Sequence, residues 1–395
     1  LKKNSLKEFI YLAGNILGLC GVAFLLGGHR FSPELILPPA VLKMAWVTSI
    51  TLCLSGLLLF VLSRLRIYER SAALSRRVFL LEALLILFPL VFAACLLVGL
   101  RLRGVGTTAG SHGDWSIGIY TSSASEPLDF SGHGIENPVL TAEDVTDISA
   151  YFVADPFLIE HQGKFYMFFE AWNARSDHGD IALAVSQDGI KWEYKQVVLD
   201  EPYTLSFPHV FFWDGNFYMI PEARASQSIR LYRAEPFPLG WTFVQTLVEG
   251  DAFRDTVVFE HNQTWWLYSL AGAGKGLKLF CAESPLGPWT EHPRSPVIHQ
   301  NPDLVRPGGN VIVQDDRIIR FVQDSYPYYG NQVWAIEVTL LTRAHYQEQR
   351  IGDTPILKGY ENWNTRGMHH ISPVQIPDGS WIAAVDGHGR QMNEW

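Results

Sequence analysis

Acidic and basic side chains fall at matching places along the C-terminal three quarters of this sequence. Asp155 and Asp255 open apolar runs (DPFLI and DTVVF), while Glu170 and Glu222 close aromatic ones (KFYMFFE and NFYMIPE). Two carboxyl groups facing each other across a bond can divide acid and base work. One stays protonated and assists a leaving oxygen, and the other activates water or attacks, as glycoside hydrolysis requires. Crowded carboxyls raise one another's pKa, which suits the acid. On this reading Asp155 is the base or nucleophile, and Asp255 or Glu222 is the acid. Glu170, Arg254, Arg306, His209 and His370 are the candidates for binding hydroxyls or an anionic group such as phosphate or uronate. Trp172 is placed to stack on a sugar face.

Each of these residues also has a purely structural use. Asp155 can cap backbone amides, and Glu170 and Glu222 can pair with arginines of a neighbouring repeat. Arg306 sits in RPGG, where glycines permit close backbone approach and a structural latch. The His369–His370 pair at a strand start suits ordinary packing. Trp192, Trp241 and Trp289 fall in outer strands and read as core.

These side chains meet only if a repeated element brings them together. One strand–turn–strand pattern recurs at residues 154–170, 206–222, 254–270, 306–324 and 369–387. Aligned on their turns, Asp155, Phe207, Asp255, Gly308 and Ile371 share a register. A third strand follows each of the first four hairpins (IALAVSQDG, IRLYRAEP, LKLFCAESP, QVWAIEVT). Several repeats add a fourth, as in KWEYKQVVL, WTFVQTLV and PWTEHP. Short strands at this spacing predict four-stranded blades around a channel, that is, an all-β five-bladed β-propeller over residues 115–395. The fifth repeat meets the chain end at Trp395 before its outer strands, so either the segment at 115–123 (WSIGIYTSS) fills that edge or the propeller is truncated. In such a blade the first strand starts, and the second ends, at one mouth. That gathers Asp155, Glu170, Glu222, Asp255, Arg306, Gln323, His370 and Asp386 there, joined by His209.

The first hundred residues differ in kind. Apolar runs at about 9–28, 44–62 and 78–100 are each long enough to cross a bilayer, predicting three transmembrane α-helices within an anchor at 1–103. Arg64, Arg66, Arg70, Arg76 and Arg77 mark the loop between the second and third runs as cytoplasmic. Everything after residue 100 is then extracytoplasmic, facing periplasm, lumen or exterior. Residues 104–114 read as a Gly/Thr/Ser linker. The net charge of −9 over 395 residues combines a basic membrane end with a more acidic remainder, which excludes nucleic acid as a partner. Of four cysteines, Cys20, Cys53 and Cys95 lie in the apolar runs and only Cys281 lies beyond them, so no disulfide is expected there. No ligand spacing calls for a metal ion, and no cofactor is expected.

ADPFLI followed by GKFYMFFEAW resembles the first blade of five-bladed glycoside hydrolases of the arabinanase, xylosidase and invertase-like families. More closely, the run from about Trp115 resembles the N-terminal propeller domain of the glucosamine inositolphosphorylceramide transferase family and its bacterial relatives. ADPFLIE, GDIALAVSQDGIKW, VVLDEP, YMIPE, SIRLYRA, LGPWTEHP, RPGG and GNQVWAIEVT carry that likeness. The hydrolase resemblance implies that Asp155 is the base or nucleophile. Phe207 stands where arabinanase-type enzymes have a second Asp. Arg254–Asp255 is similar to the Arg-Asp pair of invertase-like enzymes, in a different blade. Two functions remain open. One is a membrane-anchored glycosidase or transglycosidase acting on an envelope or lipid-linked glycan. The other is a non-catalytic glycan-binding module that presents glycan or glycolipid to a partner glycosyltransferase.

Overall fold

The computed structural model describes residues 114–272, 276–299 and 304–389. The apolar runs at 9–28, 44–62 and 78–100 and the linker as far as residue 113 lie outside them. Among the described residues no helix is long and apolar enough to cross a membrane. The described chain is all-β and propeller-like.

After β1 (Trp115–Ser122) come three four-stranded antiparallel sheets: β2 (Ala150–His161) to β3 (Lys164–Asn173), β4 (His178–Ser186) and β5 (Glu193–Leu199); β6 (Ser206–Trp213) to β7 (Asn216–Glu222), β8 (Ser228–Ala234) and β9 (Trp241–Glu249); and β10 (Arg254–His261) to β11 (Thr264–Leu270), β12 (Leu277–Ala282) and β13 (Thr290–Glu291). A fourth unit follows, of β14 (Pro307–Gln314), β15 (Arg317–Asp324), β16 (Gln332–Leu341), β17 (Tyr346–Arg350) and the short β18 (Leu357–Lys358). The last hairpin is β19 (Ile371–Gln375) with β20 (Trp381–His388). A single parallel bridge, Gly309 to Ile371, joins the fourth unit to that hairpin. β1 pairs antiparallel with β20 along its whole length, from Trp115 opposite His388 to Ser122 opposite Trp381. β1 thus adds a third strand to the last hairpin.

The first four hairpins close through two-residue turns whose residues both have positive φ: Gln162-Gly163, Asp214-Gly215, Asn262-Gln263 and Asp315-Asp316. That handedness matches the right-handed twist of the flanking strands, and Gly, Asn and Asp tolerate it best. Alternating side chains then pack one sheet on the next. Ile117 and Ile382 of the last unit share a hydrophobic cluster with Leu158 and Met167 of the first. Phe168 and Leu183 meet Val210 and Met219, Ile220 and Leu231 meet Val258 and Leu267, and Phe259 and Trp266 meet Ile318 and Val338. Phe321 and Val333 meet Ile371 and Ala383. Each unit therefore buries apolar surface on the next, and the last buries it on the first.

The first strands share a defect. Their ladders slip between Ala154 and Phe157, Ser206 and His209, and Arg254 and Val257. The extra residue in each is left-handed: Asp155 (φ 53°), Phe207 (φ 46°) and Asp255 (φ 48°). Such β-bulges unpair a backbone N–H and re-aim a side chain. In β14 the slip falls between Pro307 and Val311, where Gly309 has φ 136°.

Candidate active site

The bulges create the site. Released from its ladder, the Asp155 N–H donates to Asp386 Oδ2 at 3.0 Å, and the Asp255 N–H donates to Glu222 Oε2 at 3.2 Å. An acid ending the second strand of one unit thereby receives the bulge amide of the next, at the first–last and second–third junctions.

Asp386 is fully buried. Its Oδ1 also accepts the backbone N–H groups of His369 (3.1 Å) and His370 (3.0 Å) and the Nδ1–H of His369 (2.8 Å). Burial works to raise its pKa, but the charge and donors of His369 overcome it and hold the carboxyl at about 2. For His369 burial disfavours charge, yet Asp386 and then Asp155 reverse the effect and raise its pKa. The far nitrogen of His369, Nε2, lies 3.8 Å from Asp155 Oδ1. Asp386, His369 and Asp155 thus form a chain in which the first orients the second toward the third. Trp115 stacks on His369 with centroids 4.1 Å apart and fixes its plane.

His370 Nδ1 lies 3.6 Å from the same Asp155 oxygen. Its ring meets Phe157 and Phe207 edge-on, and burial drives its pKa down to about 3, so it stays neutral. On the other side, Arg306 Nε donates to Asp255 Oδ2 at 2.6 Å and its Nη2 to Oδ1 at 3.3 Å. The guanidinium also sits 5.1 Å from the ring centre of Tyr329. The two best-placed cations of this mouth are therefore committed, His369 to Asp386 and Arg306 to Asp255.

Three carboxyls remain, and burial dominates each. The Asp155 carboxyl rises to about 7, with His369 pulling the other way. Glu222 rises to about 8, with Asp255 adding to the effect. Glu170 is pushed well up, with Asp155 and Glu222 contributing. Glu222 is thus a protonated acid at neutral pH, and Asp155 is poised between its two forms. Glu170 rests against bare backbone: a Cβ at Gly179 would lie 2.4 Å from its Oε1.

The expected residues sort as follows. Asp155, Glu170, Glu222, Asp255 and Arg306 form one electrostatic cluster, with His370 just beneath. Both oxygens of Asp255 accept from Arg306, whereas Glu222 has no such partner among the described residues and its pKa is raised to about 8, which makes it the better acid. Arg254 lies beside this cluster and feels Glu222, Arg306 and Asp255, but burial and the like charge of Arg224 lower its pKa. His209 does not join the mouth. It is buried with Nδ1 3.1 Å from Asn310 Oδ1 and Nε2 3.1 Å from Val258 O, because its place two residues past the bulge carries it down the strand. Trp172, half-buried, stacks on Phe152 at 5.6 Å and its Nε1–H reaches Asp177 Oδ1 at 3.4 Å.

His369, whose place at a strand start suggests only packing, lies between Asp386 and Asp155. Tyr329 and Trp115 were missed altogether. Tyr326, Tyr328 and Tyr329 lie exposed on the β15–β16 connection, and three tyrosines within SYPYYG were the available signal. Asp155, His369 and Asp386 also bring three ligand-type atoms within 4.8 Å, although the last two already bond each other.

A crystal structure of a candidate glycoside hydrolase from Parabacteroides distasonis superposes with a TM-score of 0.51 at 13% identity, covering 66% of this chain and 96% of that one. The likeness is one of fold. In sequence, glucosamine inositolphosphorylceramide transferase 1 of Oryza sativa subsp. japonica is 33% identical over 308 residues, and that of Arabidopsis thaliana is 30% identical over 306. Each match takes in 72% of this chain but only 41% and 40% of the relatives, so the chain spans about two fifths of their length. The profile described as glucosamine inositolphosphorylceramide transferase 1, N-terminal, matches residues 108–388. The chain belongs to that N-terminal-domain family.

Proposed function

We propose that residues 115–395 form a five-bladed β-propeller that acts on glycan at the mouth built around Asp155. Glu222 donates the proton to the leaving oxygen, and Asp155 is the base or nucleophile. Glu170, Arg254 and Arg306 hold hydroxyls or an anionic substituent, and the exposed face of Tyr329 receives a sugar ring. The observation that carries this reading is the pairing pattern. Asp255 and Asp386 take the cations, leaving Glu222 without an ion-pair partner among the described residues and Asp155 facing only histidines. A protonated carboxyl beside a second, ionisable one is what glycosidase or transglycosidase chemistry needs. The five-bladed ring is supported by the succession of hydrophobic clusters from each sheet to the next and from the last to the first.

The three apolar runs and the arginine-rich loop between the second and third support membrane anchoring, with the propeller extracytoplasmic and the substrate an envelope or lipid-linked glycan. A second reading follows from the family itself: the chain corresponds to the N-terminal part of longer proteins named as transferases. On that reading the domain binds glycan without cleaving it and assists a glycosyltransferase.

The test is a screen of the full chain on aryl furanosides, aryl pyranosides and isolated envelope glycans, with Asp155→Asn beside it. Catalysis predicts turnover that falls by at least 100-fold in Asp155→Asn. Turnover that survives the substitution refutes the assignment, and glycan binding without turnover establishes the second reading. Tyr329→Ala is expected to weaken glycan binding about tenfold under either reading, through a lost stacking face.

A further inference from the structure

A second constellation stands one strand outward from the mouth. His178 and Asp180 are alternate residues of β4, so their side chains share one face of the sheet. Asp200 follows Leu199, which pairs with Ile181. These three side chains bring one ligand-type atom each to within 4.8 Å of one another. We propose that they form a divalent-cation site independent of the mouth.

Asp180 is 1% exposed. Its Oδ2 accepts from Asn173 Nδ2 at 2.9 Å, but its Oδ1 is buried without a hydrogen-bond partner. A buried carboxylate oxygen left in that state is costly, and it points at a ligand. Oδ1 faces His178 Nδ1 at 3.1 Å without the alignment of a hydrogen bond. Two ligands of one ion, with bonds of about 2.1 Å meeting near a right angle, keep roughly that separation. The third member, Asp200, has a side chain 65% exposed, and one of its oxygens lies within 4.8 Å of the single ring nitrogen of His178 and the Asp180 oxygen that would share an ion with it. The site therefore opens to solvent, with room for water in the remaining coordination positions. One imidazole with two carboxylates suits Mn²⁺ or Zn²⁺ better than Mg²⁺ or Ca²⁺, which prefer oxygen alone.

The site also touches the chemistry proposed above. Gly179, between two of the ligands, is the wall against which the Glu170 carboxyl rests. An ion held by its neighbours stiffens that wall. Binding itself does not depend on what the mouth does.

The full chain, stripped with chelator, is titrated with Mn²⁺ by electron paramagnetic resonance and with Zn²⁺ by calorimetry. One saturable equivalent is expected. Asp200→Asn, an exposed change that leaves the fold intact, weakens it at least tenfold, whereas Asp155→Asn leaves it unchanged. The proposal is overturned if neither ion binds saturably, or if binding survives Asp200→Asn and is lost in Asp155→Asn, which places the ion in the mouth.

Discussion

Replacing Glu222 by Gln isolates the most consequential electrostatic feature of the mouth. Burial and Asp255 raise this carboxyl to about 8 in the folded chain, against roughly 4.3 unfolded. A carboxyl whose folded pKa is raised binds its proton more tightly when folded. Stability is therefore highest at low pH and falls as pH rises toward 8. Fully expressed, three pH units at about 1.36 kcal/mol each amount to roughly 4 kcal/mol between pH 5 and 8. Neighbouring acids share the same repulsion, so about half, ~2 kcal/mol, is assigned to Glu222. Asp155 and Glu170 act with the same sign. So does His369, whose raised pKa gives stability below its unfolded pKa that is lost as pH climbs through the folded value. Asp386 has the opposite sign but titrates at about 2, outside this window. His370 and His209, held neutral by burial at about 3 and about 4, also have the opposite sign and oppose the fall up to their unfolded pKa of roughly 6.5. Gln keeps an oxygen for the Asp255 N–H and removes the titration. For a unit of this size, matched over residues 108–388, each kcal/mol moves Tm by about 2 °C. The histidines are common to both proteins and cancel in the difference, so from pH 5 to pH 8 the Tm of Glu222→Gln should fall ~4 °C less, or rise ~4 °C more, than that of the wild type, by scanning calorimetry on the full chain. A Glu222→Gln slope equal to that of the wild type refutes the reasoning.

Arg306→Met strands the buried Asp255 carboxylate and should cost ~3 kcal/mol, about 6 °C in Tm. Adding Asp255→Asn should recover at least half of that, and a double mutant no better than Arg306→Met counts against the pair. Gly309→Ala places a Cβ 1.7 Å from Ile371 O at φ 136°. A loss of at least ~3 kcal/mol in urea unfolding is expected.

Much of the fold was legible because its signals are local. The turn pairs QG, DG, NQ and DD lie where the hairpins close, and Trp241 is buried core as its outer-strand position suggested. WSIGIYTSS proved to be the strand beside β20. PWTEHP forms only the two-residue β13, since its prolines cannot donate to a ladder. At the site, the shared register of Asp155, Phe207 and Asp255 was readable, but the reason for it was not. These are left-handed bulges, and nothing local marks a bulky Phe207 for φ 46°, a conformation that costs energy and persists only because the surrounding sheet imposes it. The misreading of His369 has a similar cause. Its partner Asp386 lies 17 residues away, across a hairpin, and its other neighbour Asp155 is more than 200 residues away. An imidazole between two carboxylates looks in sequence like any histidine at a strand start.

The bulges also explain why structure and chemistry are hard to separate here. The first strands of the first three units are sheet edges, paired on one side only, and a slip turns out of the ladder an amide that regular pairing would hold. Each slip frees one amide, and at two junctions an acid from the preceding unit accepts it: Asp386 from Asp155, and Glu222 from Asp255. The acids are thus fasteners between units before they are anything else. They differ in what else reaches them. Asp386 collects three further donors and is fixed as an anion, so its fastening role is complete. Glu222 has the single amide, no cation in ion-pair range among the described residues, and a pKa raised to about 8. One repeated backbone device therefore yields, on one side of the mouth, a carboxylate held by four donors with its pKa at about 2 and, on the other, a carboxyl raised to about 8. That asymmetry, more than the number of carboxyls present, is why Glu222 rather than Asp386 is the residue to test for proton donation.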